Sequence, residues 1–397
     1  MSTLPVLVLN SGSSSIKFAV YEAGEGRREK LIEGAADGIG TAMGKFWIKD
    51  AAGKQLADQR PALPTRAEAF ALVAGALNSG DFPRPAAIGH RVVCAGPTIR
   101  DNQRVTPAFI DELESYADLA PLHTPIAVYI LRKALELFPG VPNFSCLDTY
   151  FHRGLAEEVY TLPLSPEYGA RGVRRYGFHG LSYESIVHQL EPRVPERLIV
   201  AHLGNGASIA AVKNGRGIDT SMSMTPFSGS LSGSRTGDMD PGVMIYLLRK
   251  LAEQKPATLE AADELEAIIG KRAGLLGVSG VSNDMRSLRE AIAQGDKQAR
   301  LAASLFTRSI AKYIAIYFAE LGGVDMLVFT GGIGENDADS RAEICAGLGA
   351  LGIRLDAEKN NSRGMATIST DDSRVEVRVI PPAEDLMIVN HVLRLMN

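Results

Sequence analysis

Cysteine is scarce: three occur in 397 residues, Cys94, Cys146 and Cys345, and no two form a Cys-x-x-Cys pair. An odd, scattered set excludes a disulfide framework and a thiolate zinc site, and it points to a reducing compartment, the cytoplasm. Positive charge is not in excess, since 42 Lys and Arg against 46 Asp and Glu leave a net charge of −4. With no basic run either, a dedicated nucleic-acid binder is excluded. No apolar run approaches the roughly 18 residues of a membrane helix. The short run Val6 to Leu9 lacks the basic flank and length of a secretory signal. Neither nucleic acid nor membrane is therefore expected as a partner. The P-loop is missing too, because Gly44-Lys45 and Gly53-Lys54 lack both the upstream glycine and the following Ser or Thr. The one Gly-x-Gly-x-x-Gly match, Gly347 to Gly352, follows a helix-like stretch rather than a strand, which argues against a simple Rossmann site.

What remains is ordinary globular material, 45% hydrophobic and 22% charged, with a length that suggests two or three domains at about 150 residues each. Strand-like and helix-like segments alternate, so the class is α/β. Leu4–Leu9 and Ile16–Tyr21 read as a hairpin around a Gly/Ser turn. Thr65 with Glu68 forms a capping box, and Thr106-Pro107, Thr124-Pro125 and Asp240-Pro241 each place a capping side chain before a first-turn proline. Ile310, Ile314, Phe318 and Leu321 make an amphipathic stripe, and the chain from Asp385 to Asn397 reads as helix. The strand–turn–strand of residues 6–21 is echoed at 198–212, and Asp325–Thr330 is a further strand running into Gly331–Glu335. Two related domains are expected, 1–150 and 151–384, with the helix 385–397 packing back on the first.

Asn10-Ser-Gly-Ser-Ser-Ser-Ile-Lys17 is more than a hairpin turn needs. Small polar residues let backbone N–H groups approach an anion, and the lysine adds charge, so the segment reads as a phosphate cradle. Further polar segments carry Arg91, His123, Asp148, His179 and Arg235. Singly each is a satisfied structural residue or a surface ion pair. Together they supply the cations, carboxylate and imidazoles that phosphoryl transfer needs.

At this point the residues resemble a family. Asn10-Ser-Gly-Ser-Ser-Ser-Ile-Lys-Phe18 is similar to the N-terminal signature of acetate kinases. Ala120-Pro-Leu-His123, Arg175-Tyr-Gly-Phe-His-Gly180, His202-Leu-Gly-Asn-Gly206, Ser234-Arg-Thr-Gly-Asp238 and Phe329-Thr-Gly-Gly-Ile-Gly-Glu-Asn336 resemble the family's other motifs in the same order. The resemblance implies two actin-like (ribonuclease H-like) domains with a nucleotide cleft between them. The implied activity is reversible transfer of the ATP γ-phosphoryl group to acetate, with ATP/ADP as co-substrate and Mg²⁺ as metal, Mn²⁺ able to substitute, in a homodimer. Carried over residue by residue, it implies Asn10 and Glu384 at the metal. Lys17, His202, Leu203, Gly204, Asn205 and Gly206 would meet the phosphates. Asp284, Met285, Arg286, Gly331, Gly332, Ile333, Gly334 and Glu335 would border the nucleotide. Arg91 and Arg235 would clamp the acyl group, with Asp148 central, His179 on the transferring phosphoryl group and His123 nearby. Val93, Leu122, Phe178 and Pro226 would wall the acyl methyl.

Three stretches depart from the family's usual pattern: Cys94-Ala95-Gly96, Leu181-Ser182-Tyr183, and Leu231 to Ser234 preceded by Phe227-Ser228. Ala95 and Phe227 are expected to flank the acyl cup. A propionate kinase with a roomier cup is the close alternative. A nucleotide-dependent binding switch of the chaperone or actin kind is the reading from another class, and it has no use for an arginine pair.

Overall fold

The computed structural model describes residues 3–12, 14–121, 123–254, 258–362 and 364–397. By packing they fall into two units, the described residues up to Arg153 together with Ala383–Asn397, and Gly154–Pro382.

In the first unit, β1 (Leu4–Ser11) and β2 (Ser15–Gly24) form the hairpin, with Asn10 opposite Lys17. β3 (Arg27–Asp37), β4 (Lys45–Asp50) and β5 (Gln55–Gln59) extend it as an antiparallel meander. On the other side of β1, β6 (Ala87–Val92) and β8 (Asn143–Leu147) run parallel to it, and β7 (Gln103–Arg104) closes the edge. The sheet is covered on both faces, so Val6–Leu9 of β1 and all of β8 are buried without alternation. Ile88 of β6 joins the cluster of Ile130 and Phe70 from the helices Thr124–Leu137 and Arg66–Leu77. Its neighbour Gly89 points the other way, where an added methyl would meet Ile388 at 2.4 Å. That glycine lets the C-terminal helix Glu384–Met396 lie close on the strands.

In the second unit, β9 (Arg197–Leu203) pairs antiparallel with β10 (Ala207–Lys213), which pairs with β11 (Arg216–Thr220). β12 (Met326–Thr330) and β14 (Glu376–Val379) run parallel to β9, with β13 (Ala366–Thr367) at the edge. The orders β3-β2-β1-β6-β8 and β11-β10-β9-β12-β14 are the same pattern with the same directions. The echo between residues 6–21 and 198–212 is thus the opening of two equivalent sheets. The helix Lys297–Glu320 buries Ile310, Ile314 and Tyr317 in the core beside β9 and β12, with Phe318 at the edge of that core.

Thr65 and Thr106 cap their helices as expected, Thr65 in a full capping box, and Asp240 Oδ1 accepts from the Gly242 N–H at 2.8 Å. Thr124 does not cap. Its N–H already bonds to Ala120 O at 2.9 Å, so the helix starts one residue early and His123 occupies the cap position without a side-chain cap bond.

Candidate functional site

In the first unit, strand ends bring the chemistry together. Leu9 and His90 are register partners, so Asn10 and Arg91 leave β1 and β6 side by side. Asp148 follows β8, its N–H bonded to Val92 O at 2.9 Å, and Glu384 opens the C-terminal helix. Arg91 Nη2 donates to Asp148 Oδ2 at 2.7 Å and Nη1 to Asn10 Oδ1 at 3.3 Å, while Nη1 lies 3.8 Å from Glu384 Oε2. Burial opposes the charge on Arg91, but Asp148 and Glu384 outweigh it and hold the guanidinium protonated. Burial raises the carboxyl of Asp385, next to Glu384. Lys17 is exposed on β2 opposite Asn10. Arg66 Nη1 donates to Gly12 O at 2.9 Å, and Ser14 O accepts from the N–H groups of Gly38 and Ile39, both at 3.0 Å. These bonds brace the small-residue turn.

Asn10 and Glu384 present hard oxygen donors on one guanidinium, and among the described residues no three His, Cys, Asp or Glu side chains gather into a metal cage. A sparse oxygen set suits Mg²⁺, which keeps most of its waters and takes one or two protein ligands.

In the second unit, His179 caps the helix Gly180–Leu190 in the left-handed region, φ 56°. Its Nδ1 is 2.7 Å from Ser208 Oγ, and Ser208 also bonds to the hydroxyl of Tyr183. His202 Nδ1 is 2.8 Å from Ser182 Oγ, and the two imidazoles stack at 4.2 Å between centroids. A methyl on Gly206 would lie 3.1 Å from His179 Nε2 and 3.2 Å from Arg235 Nη1, so turn, imidazole and guanidinium converge on one point. Gly331, φ +78°, could not carry a side chain, because a methyl would sit 2.9 Å from Leu203 O.

A cavity of about 1030 Å³ opens beside this turn, ample for a nucleotide. Of the residues the resemblance placed there, Gly204, Asn205, Asp284, Met285, Arg286, Gly332, Ile333 and Glu335 line it. His202, Leu203, Gly206, Gly331 and Gly334 are not among its lining residues. The Leu203 side chain is in the core, and a methyl added to Gly334 would lie 3.7 Å from Ala201 O of β9. Burial raises the Glu335 carboxyl, and the paired Arg286 lowers that of Asp284. Sequence reasoning missed Asn283, Arg289 and Arg341 in this wall. Arg341 is fully buried, with Nε on Asn360 Oδ1 at 2.8 Å and Nη1 on Gly334 O and Glu335 O at 2.8 and 3.0 Å.

Of the four residues for the acyl wall, Val93 is half-buried in the first unit, while Phe178 and Pro226 are buried in the second. Leu122 lies outside the described residues. His123 is half-buried at its helix start. Ala95 is buried in the core cluster of Val92, Ile99 and Leu147, and the Phe227 ring packs over Gly270, where a methyl would meet it at 2.6 Å. The side chains of Ala95 and Phe227 both pack within their own units.

Paired sheets of one strand order, polar groups gathered at strand ends and a glycine-lined cavity define a mixed α/β, actin-like enzyme class. The acetokinase family model matches residues 5–390. Acetate kinase of Dictyoglomus thermophilum is 41% identical over 412 residues, covering 99% of this chain and 100% of that protein. Acetate kinase of Rhodopseudomonas palustris is 42% identical over 403 residues, covering 99% and 98%. Among solved structures, Porphyromonas gingivalis acetate kinase superposes with a TM-score of 0.85 at 34% identity, covering 99% of this chain and 100% of that one. A Francisella tularensis propionate kinase does so with 0.89 at 32%, with the same coverage. The chain belongs to the acetokinase family.

Proposed function

We propose that this chain is an acetate kinase that transfers the γ-phosphoryl group of ATP to acetate, reversibly and in line, giving acetyl phosphate and ADP. The observation that carries the reading is the Arg91–Asp148 pair with Asn10 and Glu384 on the same guanidinium, in a chain that matches acetate kinases from end to end.

An acetate oxygen attacks the γ-phosphorus as the bond from phosphorus to the ADP oxygen breaks. The acceptor has no proton to lose at neutral pH, so no general base is required. Asp148 instead holds Arg91, and the guanidinium fork is shaped for a carboxylate or an acyl phosphate. His179 Nε2 and Arg235 Nη1, both close to Gly206, offset charge on the equatorial oxygens of the transferring group. The cavity holds the nucleoside, with Gly204 and Asn205 at its phosphate end and Asp284, Met285 and Arg286 along its wall. Asn10 and Glu384 are the residues that would hold Mg²⁺, which supplies charge neutralisation on the phosphates. Val93, Leu122, Phe178 and Pro226 are assigned to the acyl methyl and His123 to the acyl end; Lys17 adds charge beside the small-residue turn.

A homodimer and a cytoplasmic setting complete the reading. The helix Pro241–Gln254 has none of its residues buried and exposes Val243, Ile245 and Tyr246, an apolar face suited to a second copy. The three cysteines are buried and none is in a disulfide, as suits a reducing compartment. Among the described residues no helix is long and apolar enough to cross a membrane, and the net charge of −4 gives no footing for nucleic acid.

The propionate kinase reading has its own support in the TM-score of 0.89 to such an enzyme. Trapping acyl phosphate with hydroxylamine, using ATP with acetate, propionate or butyrate, separates the two. Acetate should give the highest kcat/KM, with propionate a few-fold to about a hundredfold lower. Preference for propionate would replace acetate as substrate; no hydroxamate from any acid would overturn the kinase reading.

A further inference from the structure

Leu181-Ser182-Tyr183, one of the stretches that depart from the family's usual run, lies against the imidazole pair of the second unit. Tyr183 and Ser208 are both fully buried. Ser208 Oγ joins the Tyr183 hydroxyl to His179 Nδ1, the latter at 2.7 Å. His179 itself sits in the left-handed backbone region, φ 56°, which a non-glycine residue occupies only where its surroundings over-determine it. The stacked His202 ring at 4.2 Å restrains the imidazole on its face.

We propose that Tyr183 is a positioning residue which, through Ser208, holds His179 in the tautomer with its proton on Nε2. This rests on the reading of His179 as a group that meets the transferring phosphoryl oxygens. In a chain of two hydroxyls and an imidazole, the direction of donation is set by the ends. A phenol is the more acidic hydroxyl and the better donor, so Tyr183 donates to Ser208 and Ser208 donates to Nδ1. A neutral ring accepting at Nδ1 carries its proton on Nε2. That nitrogen lies beside Gly206 and Arg235 Nη1, where an N–H and a guanidinium together favour an anionic oxygen and a bare lone pair would repel it. The chain does for this imidazole what a buried carboxylate does for a catalytic histidine, but with neutral groups that leave the local charge unchanged.

Tyr183→Phe keeps the ring and removes the donor. The expected result is a kcat lower by roughly five- to tenfold, the scale of one neutral hydrogen bond, with KM for ATP unchanged. Ser208→Ala should lose at least as much, and the double variant no more than Ser208→Ala alone, because both substitutions cut one chain. The nitrogen NMR signals of His179 supply a readout that packing alone would not move. The wild-type ring should show a protonated Nε2 and a bare Nδ1, and both variants a shift toward the mixed tautomers. Ser208→Ala also stands in if Tyr183→Phe does not fold. Wild-type kcat and unchanged His179 signals in Tyr183→Phe, where His179→Ala is crippled, would overturn this proposal alone. Full turnover in His179→Ala would overturn the reading of the site and the proposal with it.

Discussion

Gly206→Ala adds one methyl at the point where the second unit's charged groups converge. That methyl would lie 3.1 Å from His179 Nε2, 3.3 Å from His179 Cε1 and 3.2 Å from Arg235 Nη1. Comfortable contacts begin near about 3.5 Å, so imidazole and guanidinium must each retreat by roughly 0.3 to 0.4 Å. Both side chains are only half-buried, so they can yield toward solvent without breaking the core. Gly206 has no positive φ, so alanine is conformationally permitted, and the smaller unfolded-state entropy returns about 0.4 to 1 kcal/mol. Net stability should stay within about 1 kcal/mol of wild type. Catalysis should not, because a misplacement of about 1 Å can cost about a hundredfold in rate. A third of that in two groups at once predicts a kcat reduced about tenfold, or roughly 1.4 kcal/mol in the barrier. The assay is hydroxamate turnover alongside urea unfolding. Gly347→Ala, with nothing within 4 Å of the added methyl, serves as the control for glycine replacement itself. Wild-type turnover in a folded Gly206→Ala enzyme would refute the idea that reacting oxygens sit between His179 and Arg235.

Arg91→Ala should abolish most turnover while nucleotide affinity, measured by calorimetry, persists, since the cavity is built from the other unit. It also strands the buried Asp148 carboxylate, so urea unfolding should show a loss of about 3 kcal/mol. Arg341→Met should cost about 3 kcal/mol by leaving the carbonyls of Gly334 and Glu335 without their donor, and should raise KM for ATP more than it lowers kcat. His90 bonds Asn143 Oδ1 at 2.6 Å, and burial pushes its imidazole down from 6.5 to about 4. Between those values the unfolded chain takes up a proton that the folded one refuses, so stability falls as pH falls. This group should remove about 2 kcal/mol between pH 7 and pH 5, and that pH dependence should vanish from urea titrations of His90→Gln.

What could be read in the sequence was local or repeated. The β1–β2 hairpin, the Thr65 and Thr106 caps and the stripe on Lys297–Glu320 depend on neighbours within a few residues. The echo was legible because both sheets open with a strand, a small-residue turn and a strand. Asn10 and Glu384 lie almost a whole chain apart, and only the family resemblance joined them, since no periodicity reports that the last helix returns to the first sheet. Arg341 had no signal at all. In sequence it is one more arginine on a polar helix, and its burial follows from Asn360 and the carbonyls around it. For Ala95, Phe227 and Leu203 nothing in the sequence signalled their packing, because adjacency to a site residue says nothing of the side on which a side chain leaves the backbone.

The shared strand order makes partners of positions that never meet in the sequence. The turn after β1, rich in serine, corresponds to the Gly204–Gly206 turn after β9. The exit of β6, with Arg91, corresponds to the exit of β12, with Gly331, and the exit of β8, with Asp148, to that of β14, with Pro381. At the two strand exits, one copy holds a charge and the other a residue without one, and at the turn the serines face glycines. One sheet carries ionic groups at its strand exits, and the other carries glycines at its turn, where the backbone itself can come near a ligand.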